Sequence, residues 1–134
     1  MSASVAYLDS SALVKLAVSE PESRVLYDFL AQWPDRVVSG LARVEVPRAL
    51  ARAGASPATR RRAETALAHV VVIGIDDDVL ARAAGVEPAA LRSLDAIHLA
   101  TALVLGEDLG VFVTYDERLA AAARHATLPV ETPG

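Results

Sequence analysis

Val5-Ala6-Tyr7-Leu8-Asp9 is the stretch that decides the fold of this chain. Four apolar residues in a row, closed by an acid, read as a short strand buried on both faces. Ser11 to Val18 follows as a helix with Leu13, Leu16 and Ala17 on one side. The same kind of run recurs at Val37-Val38-Ser39, at Val70-Val71-Val72-Ile73 and at Val111-Phe112-Val113, with Leu128-Pro129-Val130 as a short edge strand. Helical patterns fill the intervals. One runs from a first turn at Pro21 to about Gln32. Another runs from Leu41 to Ala53, where Pro47 marks either a kink or the true first turn. A third covers Ala58 to Ala68 behind an N-cap at Ser56 and Pro57, and others cover Asp76 to Ala84, Ser93 to Leu105 and Glu117 to Arg124. Short buried strands alternating with helices predict an α/β fold: a central parallel sheet of four to five short strands with helices on both faces, in one domain spanning 1–134.

Composition narrows the function. The chain has 134 residues, a net charge of −4, no cysteine and 27 alanines. Lack of cysteine excludes disulfide scaffolds, thiolate metal sites and a thiol nucleophile. No apolar run is long enough to span a bilayer, and the first residues lack the basic-then-apolar order of a secretory leader. A soluble cytoplasmic protein with no membrane partner is expected.

In parallel sheets, sites form beyond the carboxyl ends of the strands. Asp9 directly follows the first strand and Asp116 follows the fourth. Glu45 lies in the helix after the second strand, and Asp95 opens an apolar helix. Each is flanked by apolar residues, and a carboxylate in apolar company is costly unless paired or metal-bound. Four acids gathered at one end of a sheet would form a hard, oxygen-rich, anionic pocket suited to Mg²⁺ or Mn²⁺. Taken singly, Asp95 and Asp116 read first as helix caps and second as site residues, whereas Asp9 and Glu45 occupy no obvious capping position.

Four segments carry a family resemblance. Leu8-Asp9-Ser10-Ser11-Ala12-Leu13-Val14-Lys15-Leu16 resembles the opening motif of PIN-domain proteins. Arg43-Val44-Glu45-Val46 resembles their second acidic motif, Leu94-Asp95-Ala96-Ile97-His98-Leu99-Ala100-Thr101-Ala102 the third, and Val113-Thr114-Tyr115-Asp116-Glu117-Arg118-Leu119 the fourth. Order, spacing and length are similar to the VapC-type toxins of bacterial toxin–antitoxin pairs. Gly40, where the family often has Ser or Thr, and Pro47 depart from the pattern. The resemblance implies a PIN-like three-layer fold and a Mg²⁺-dependent endoribonuclease that forms a homodimer and is neutralised by a cognate antitoxin. It implies Asp9, Glu45, Asp95 and Asp116 as the catalytic acids. Asp9 and Asp95 would be the direct metal ligands, Glu45 and Asp116 would complete the set or orient the attacking water, and Ser11 and Thr114 would hydrogen-bond the acids. Attack by a metal-activated water would leave 5′-phosphate and 3′-OH ends. The alternatives are a catalytically silent PIN-like module that binds RNA or a partner, and a phosphatase using Asp9 as nucleophile. The second usually needs another Asp two residues on, where this chain has Ser11.

Charge adds one feature. Between residues 43 and 62, Arg43, Arg48, Arg52, Arg60, Arg61 and Arg62 face the lone acid Glu45, a net +5 on an acidic protein. A helical hairpin with this charge can grip RNA phosphates or simply present a solvated face. Lys15 and Arg92 lie near the acidic motifs, within reach of a scissile phosphate. His98, three residues after Asp95, reads first as a packing histidine and second as a ligand or base. Tyr7 and Trp33 read as packing or interface residues.

Overall fold

The computed structural model describes residues 3–134. In chain order the elements are β1 (Val5–Leu8), α1 (Ser10–Ala17), α2 (Ser23–Leu30), β2 (Asp35–Ser39), α3 (Ala42–Arg52), α4 (Pro57–Ala68), β3 (Val71–Ile73), α5 (Asp77–Ala84), α6 (Ser93–Val104), β4 (Leu109–Val113), α7 (Glu117–His125) and β5 (Val130–Glu131). The strands form one sheet in the order β3-β2-β1-β4-β5, and every neighbouring pair is parallel. The three-layer α/β architecture read from the sequence is therefore the observed one.

β1 lies in the middle of the sheet, and its side chains alternate between two cores as a two-residue period requires. Ala6 and Leu8 face Leu13, Leu26, Val46 and Leu50, contributed by α1, α2 and α3, with Ala63 of α4 beyond them. Tyr7 faces the opposite way, against Leu99 and Ala102 of α6, Phe112 of β4 and Leu119 of α7. Ala6, Tyr7 and Leu8 are all 0% exposed, which is why this run carries no polar alternation.

The sheet order creates the crevice. From β1 the chain builds β2 and β3 on one side, then returns to build β4 and β5 on the other. Leu8 is level with Val113, and Asp9 N–H donates to the Val113 carbonyl at 3.2 Å. The carboxyl ends of β1 and β4 thus lie side by side at the point where the winding reverses, the usual place for a ligand crevice in such sheets. The helix starts are set by side-chain caps: Asp9, Ser56, Asp76 and Asp116 accept from the backbone N–H groups of Ala12, Thr59, Val79 and Leu119.

Several expectations need correction. Pro21 lies in a turn, and α2 starts two residues later at Ser23. Ser23 Oγ accepts from Glu20 N–H at 2.9 Å and lies 2.8 Å from the Lys15 and Val18 carbonyls, which closes the loop before the helix can begin. The third strand is not buried: β3 is a sheet edge, and Val71 is 64% exposed. An apolar run alone does not separate an edge strand from a central one. Pro47 lies inside α3 on the solvent-exposed side, where water can satisfy the carbonyl that its missing N–H leaves free. Among the described residues, no helix is long and apolar enough to cross a membrane.

Candidate active site

Asp9 is the best-anchored acid in the molecule. It is 3% exposed and caps α1, although its position in the sequence did not suggest a cap. Ser11 Oγ–H donates to Oδ1 at 2.6 Å, Ala12 N–H donates to the same oxygen at 3.0 Å, and Thr114 Oγ–H donates to Oδ2 at 2.5 Å. The donors also bind one another's loops. Ser11 Oγ accepts from Tyr115 N–H at 2.9 Å, and Thr114 Oγ1 accepts from Asp116 N–H at 3.0 Å. The two hydroxyls thereby lock the β1–α1 turn to the β4–α7 turn. Burial raises the Asp9 pKa above its ordinary value despite the opposing hydrogen bonds from Ser11 and Thr114.

Asp116 caps α7 through Oδ1, as one of its readings expected. Asp95 is not a cap. That position belongs to Arg92, and Asp95 sits three residues into α6, half-buried and with no hydrogen bond from the protein among the described residues. Burial raises its pKa first, and the like charges of Asp116, Glu45 and Asp9 raise it further, so the four acids share one field. They also line one cleft of about 560 Å³. Of their apolar sequence neighbours, Leu8, Val46 and Ala96 are buried. Val44 and Leu94 are not, at 58% and 50% exposed, because adjacent residues on a helix face different ways.

Glu45 has partners that spacing did not reveal. Its Oε1 accepts from Ser10 Oγ–H at 2.7 Å and stands 2.6 Å from His98 Nε2. His98 is 2% exposed, and its Nδ1 lies 2.6 Å from the Tyr7 hydroxyl. A carboxylate only accepts, so Nε2 carries the proton toward Glu45, and in the neutral ring Nδ1 accepts from Tyr7 O–H. Burial favours the protonated acid at Glu45, but the His98 and Ser10 hydrogen bonds outweigh it and hold its pKa below the ordinary value. Tyr7 stays protonated, its pKa pushed well up by burial and by the charges of Asp9 and Glu45. His98 is therefore more than a packing residue, and Tyr7 is packed but polar at its tip. Tyr7 stacks on Phe112 at 5.1 Å while delivering its hydroxyl to the site. A signal was present: a tyrosine in a fully buried strand needs a partner for its hydroxyl.

The basic candidates separate into two groups. Lys15 and Arg92 line the acidic cleft, together with Arg52. Lys15 is held by Glu22 at 3.1 Å and Glu20 at 3.5 Å and lies over the Tyr115 ring. Arg43 and Arg48 are exposed on α3 and do not line that cleft. Arg60, Arg61 and Arg62 lie on α4. Arg61 and Arg62 border a different cavity beside Tyr27, and Arg62 is tied to the Ala17 carbonyl at 3.0 Å. The basic hairpin exists, but its charge is spread over several faces.

The donor set is chemically suited to a hard divalent cation: four carboxylates in one cleft, two of them with raised pKa values. Among the described residues, no three His, Asp or Glu side chains already converge as ligands for one ion. Mg²⁺ typically uses one or two carboxylates and keeps several waters, so a closed protein cage is not required.

A parallel sheet with a carboxylate-lined crevice at the reversal point is the arrangement of a PIN domain. The PIN domain family model matches residues 6–125, and the chain belongs to that family. It is 51% identical over 127 residues to Ribonuclease VapC46 of Mycobacterium tuberculosis, covering 95% of this chain and 96% of that protein. It is 41% identical over 132 residues to Ribonuclease VapC47 of the same organism, covering 96% of both. Its fold also matches that of a toxin–antitoxin complex from Klebsiella pneumoniae with a TM-score of 0.72 and 24% identity, covering 96% of this chain and 98% of the other.

Proposed function

We propose that this chain is a Mg²⁺-dependent endoribonuclease, the toxin of a cytoplasmic toxin–antitoxin pair, active as a homodimer and neutralised by a cognate antitoxin. The observation that carries this reading is the single cleft shared by Asp9, Glu45, Asp95 and Asp116 at the carboxyl ends of β1 and β4. The names of the relatives supply the substrate class and the kind of partner.

Asp9 and Asp95 are the residues that would hold Mg²⁺ or Mn²⁺, with Glu45 and Asp116 beside them. When bound, the metal lowers the pKa of water and neutralises charge that builds on the phosphoryl oxygens. The protein's own groups set the stage for that chemistry. Ser11, Thr114 and the Ala12 N–H fix both oxygens of Asp9. Ser10 and His98 fix Oε1 of Glu45, so Oε2 is the oxygen available to orient a water and accept its proton. Arg92 and Lys15 offer positive charge to the phosphate at the cleft wall.

The test is cleavage of total RNA by the purified chain in Mg²⁺, Mn²⁺ and EDTA, with mapping of the ends. Divalent-dependent cuts with 5′-phosphate and 3′-OH ends are expected. RNA binding without cleavage in either metal would select the catalytically silent reading instead.

A further inference from the structure

A second cavity, of about 570 Å³, opens beside the acidic cleft between the α5–α6 loop and α7. The two share Arg92 and Asp95, so they adjoin along that wall. Their linings differ. Pro88, Leu91 and Ala121 make the second cavity largely apolar, and among the described residues Asp95 is the only carboxylate that lines it. Arg118 and His125 stand along its α7 side and Arg92 along the loop side.

We propose that this cavity receives the base of an unpaired nucleotide next to the scissile phosphate. The inference rests on the ribonuclease reading above and adds a substrate class to it: RNA whose base can be turned out of a helical stack. Three observations point this way. An apolar wall attracts neither a metal ion nor a phosphate, but it suits the face of a heterocycle. The volume falls in the range of about 300–1,000 Å³ usual for small-ligand pockets. Arg92 and Arg118 border the cavity from two sides, and guanidinium groups both bind phosphate oxygens and stack on planar rings. A backbone whose phosphate lies at Asp95 therefore meets an apolar recess for the attached base and cationic groups for the phosphates around it. Recognition of unstacked bases on their faces and edges is the common route to RNA specificity.

Ala121 is exposed on α7, so a larger side chain there fills the recess without disturbing the core. The experiment uses a short single-stranded RNA containing a bond that the wild-type chain cuts, and a set of copies with one abasic nucleotide placed on either side of that bond. Single-turnover cleavage is followed over a range of protein concentrations. Removing the base on one side should raise the half-saturating concentration about tenfold, a fold-change equal to about 1.4 kcal/mol. Ala121→Trp should cause a similar rise on intact RNA, with the rate at saturation kept, and should cause no further loss on that abasic copy. Leu91→Ala, which widens the recess, should reduce the penalty for the missing base.

An equal response of both proteins to every abasic copy overturns the proposal. So does an Ala121→Trp variant that cuts intact RNA as the wild type does, or one that changes only self-association or antitoxin binding. Failure of the wild-type chain to cut any RNA removes the ribonuclease reading, and the subsite with it. Cleavage that ignores the flanking bases removes the subsite alone.

Discussion

Glu45 Oε1 and His98 Nε2 stand 2.6 Å apart, which makes a buried imidazole the link between the sheet and a cleft carboxylate. The link continues to Tyr7, 2.6 Å from the other ring nitrogen, so β1, α6 and α3 are joined through one relay of polar atoms. Each member depends on the next, since a buried polar group left without a partner costs far more than a hydrogen bond gains.

Removing the hydroxyl of Tyr7 tests that chain. Tyr7→Phe keeps the ring stacked on Phe112 but leaves His98 Nδ1 without its partner. A loss of about 1–3 kcal/mol in urea denaturation is expected. His98→Ala should cost at least as much and also slow cleavage, because Glu45 keeps Ser10 but loses the second of the two partners that fix its Oε1. Full stability and full activity in both variants would show that the relay does not matter.

Asp95→Asn separates a catalytic acid from a structural one. Among the described residues, Asp95 neither caps its helix nor accepts a hydrogen bond, and three other acids crowd its charge. The variant should lose cleavage while its metal-free fold is as stable as the wild type, or more stable, near neutral pH. Thermal melts with and without Mg²⁺ read this out. The wild type should gain about 1.4 kcal/mol at ten times the dissociation constant, and the variant much less. A destabilised variant that still cuts RNA would make Asp95 a structural residue.

Stability should depend on pH in two opposite ways. Asp9 and Asp95 have raised pKa values, so the folded chain keeps protons that the unfolded chain has lost. Their contribution is fully present below the ordinary Asp value of 3.8 and disappears as pH rises through the raised values. Glu45 is lowered, so its contribution is present above its ordinary value of 4.5 and disappears as pH falls through the lowered one. Urea midpoints across this range in EDTA should show Asp9→Asn losing less stability than the wild type as pH rises. A parallel decline in both proteins would contradict the buried-carboxylate account.

The salt dependence of RNA binding should single out the arginines that line the cleft, Arg92 among them. Arg92→Gln should reduce the log–log salt slope by about 0.7–0.9, the value for one lost phosphate contact, and should weaken cleavage at low protein concentration. Arg61→Gln should have a smaller effect on cleavage, because Arg61 borders another cavity. Equal effects of the two substitutions on both quantities would return RNA contact to the whole basic hairpin.

Gly110 sets a packing limit. A Cβ there would stand 2.7 Å from Trp33 Cη2 and 2.7 Å from the Ala3 carbonyl oxygen, and would meet Trp33 Cζ3 as well. Gly110→Ala should destabilise the fold by about 1–3 kcal/mol, as overpacking does. Trp33→Leu should relieve part of that loss when combined with it. Additive effects of the two substitutions would show that Trp33 is not the obstacle.

How much of this was legible in the linear chain follows from the range of the forces involved. The central strand at Val5–Leu8, the N-caps at Ser56 and Asp116 and the alternation of strand with helix depend on residues close together in sequence, and they read correctly. So did the placing of Asp9 and Asp116 just beyond their strands, because parallel winding puts strand ends there whatever the details. The capping role of Asp9 was missed although it is local, because the expected helix start fell one residue late. The partners of Glu45 could not be read at all. Tyr7 and His98 are separated by 91 residues and Glu45 and His98 by 53, and no local pattern encodes those contacts. They exist because β1 runs at the centre of the sheet, α6 covers one face and α3 the other. Only that packing brings a strand hydroxyl, a helix imidazole and a carboxylate within hydrogen-bond reach. The same holds for the basic residues: sequence gathers six arginines between 43 and 62, but the helical period turns them to different faces and leaves Arg52 as the member that lines the acidic cleft.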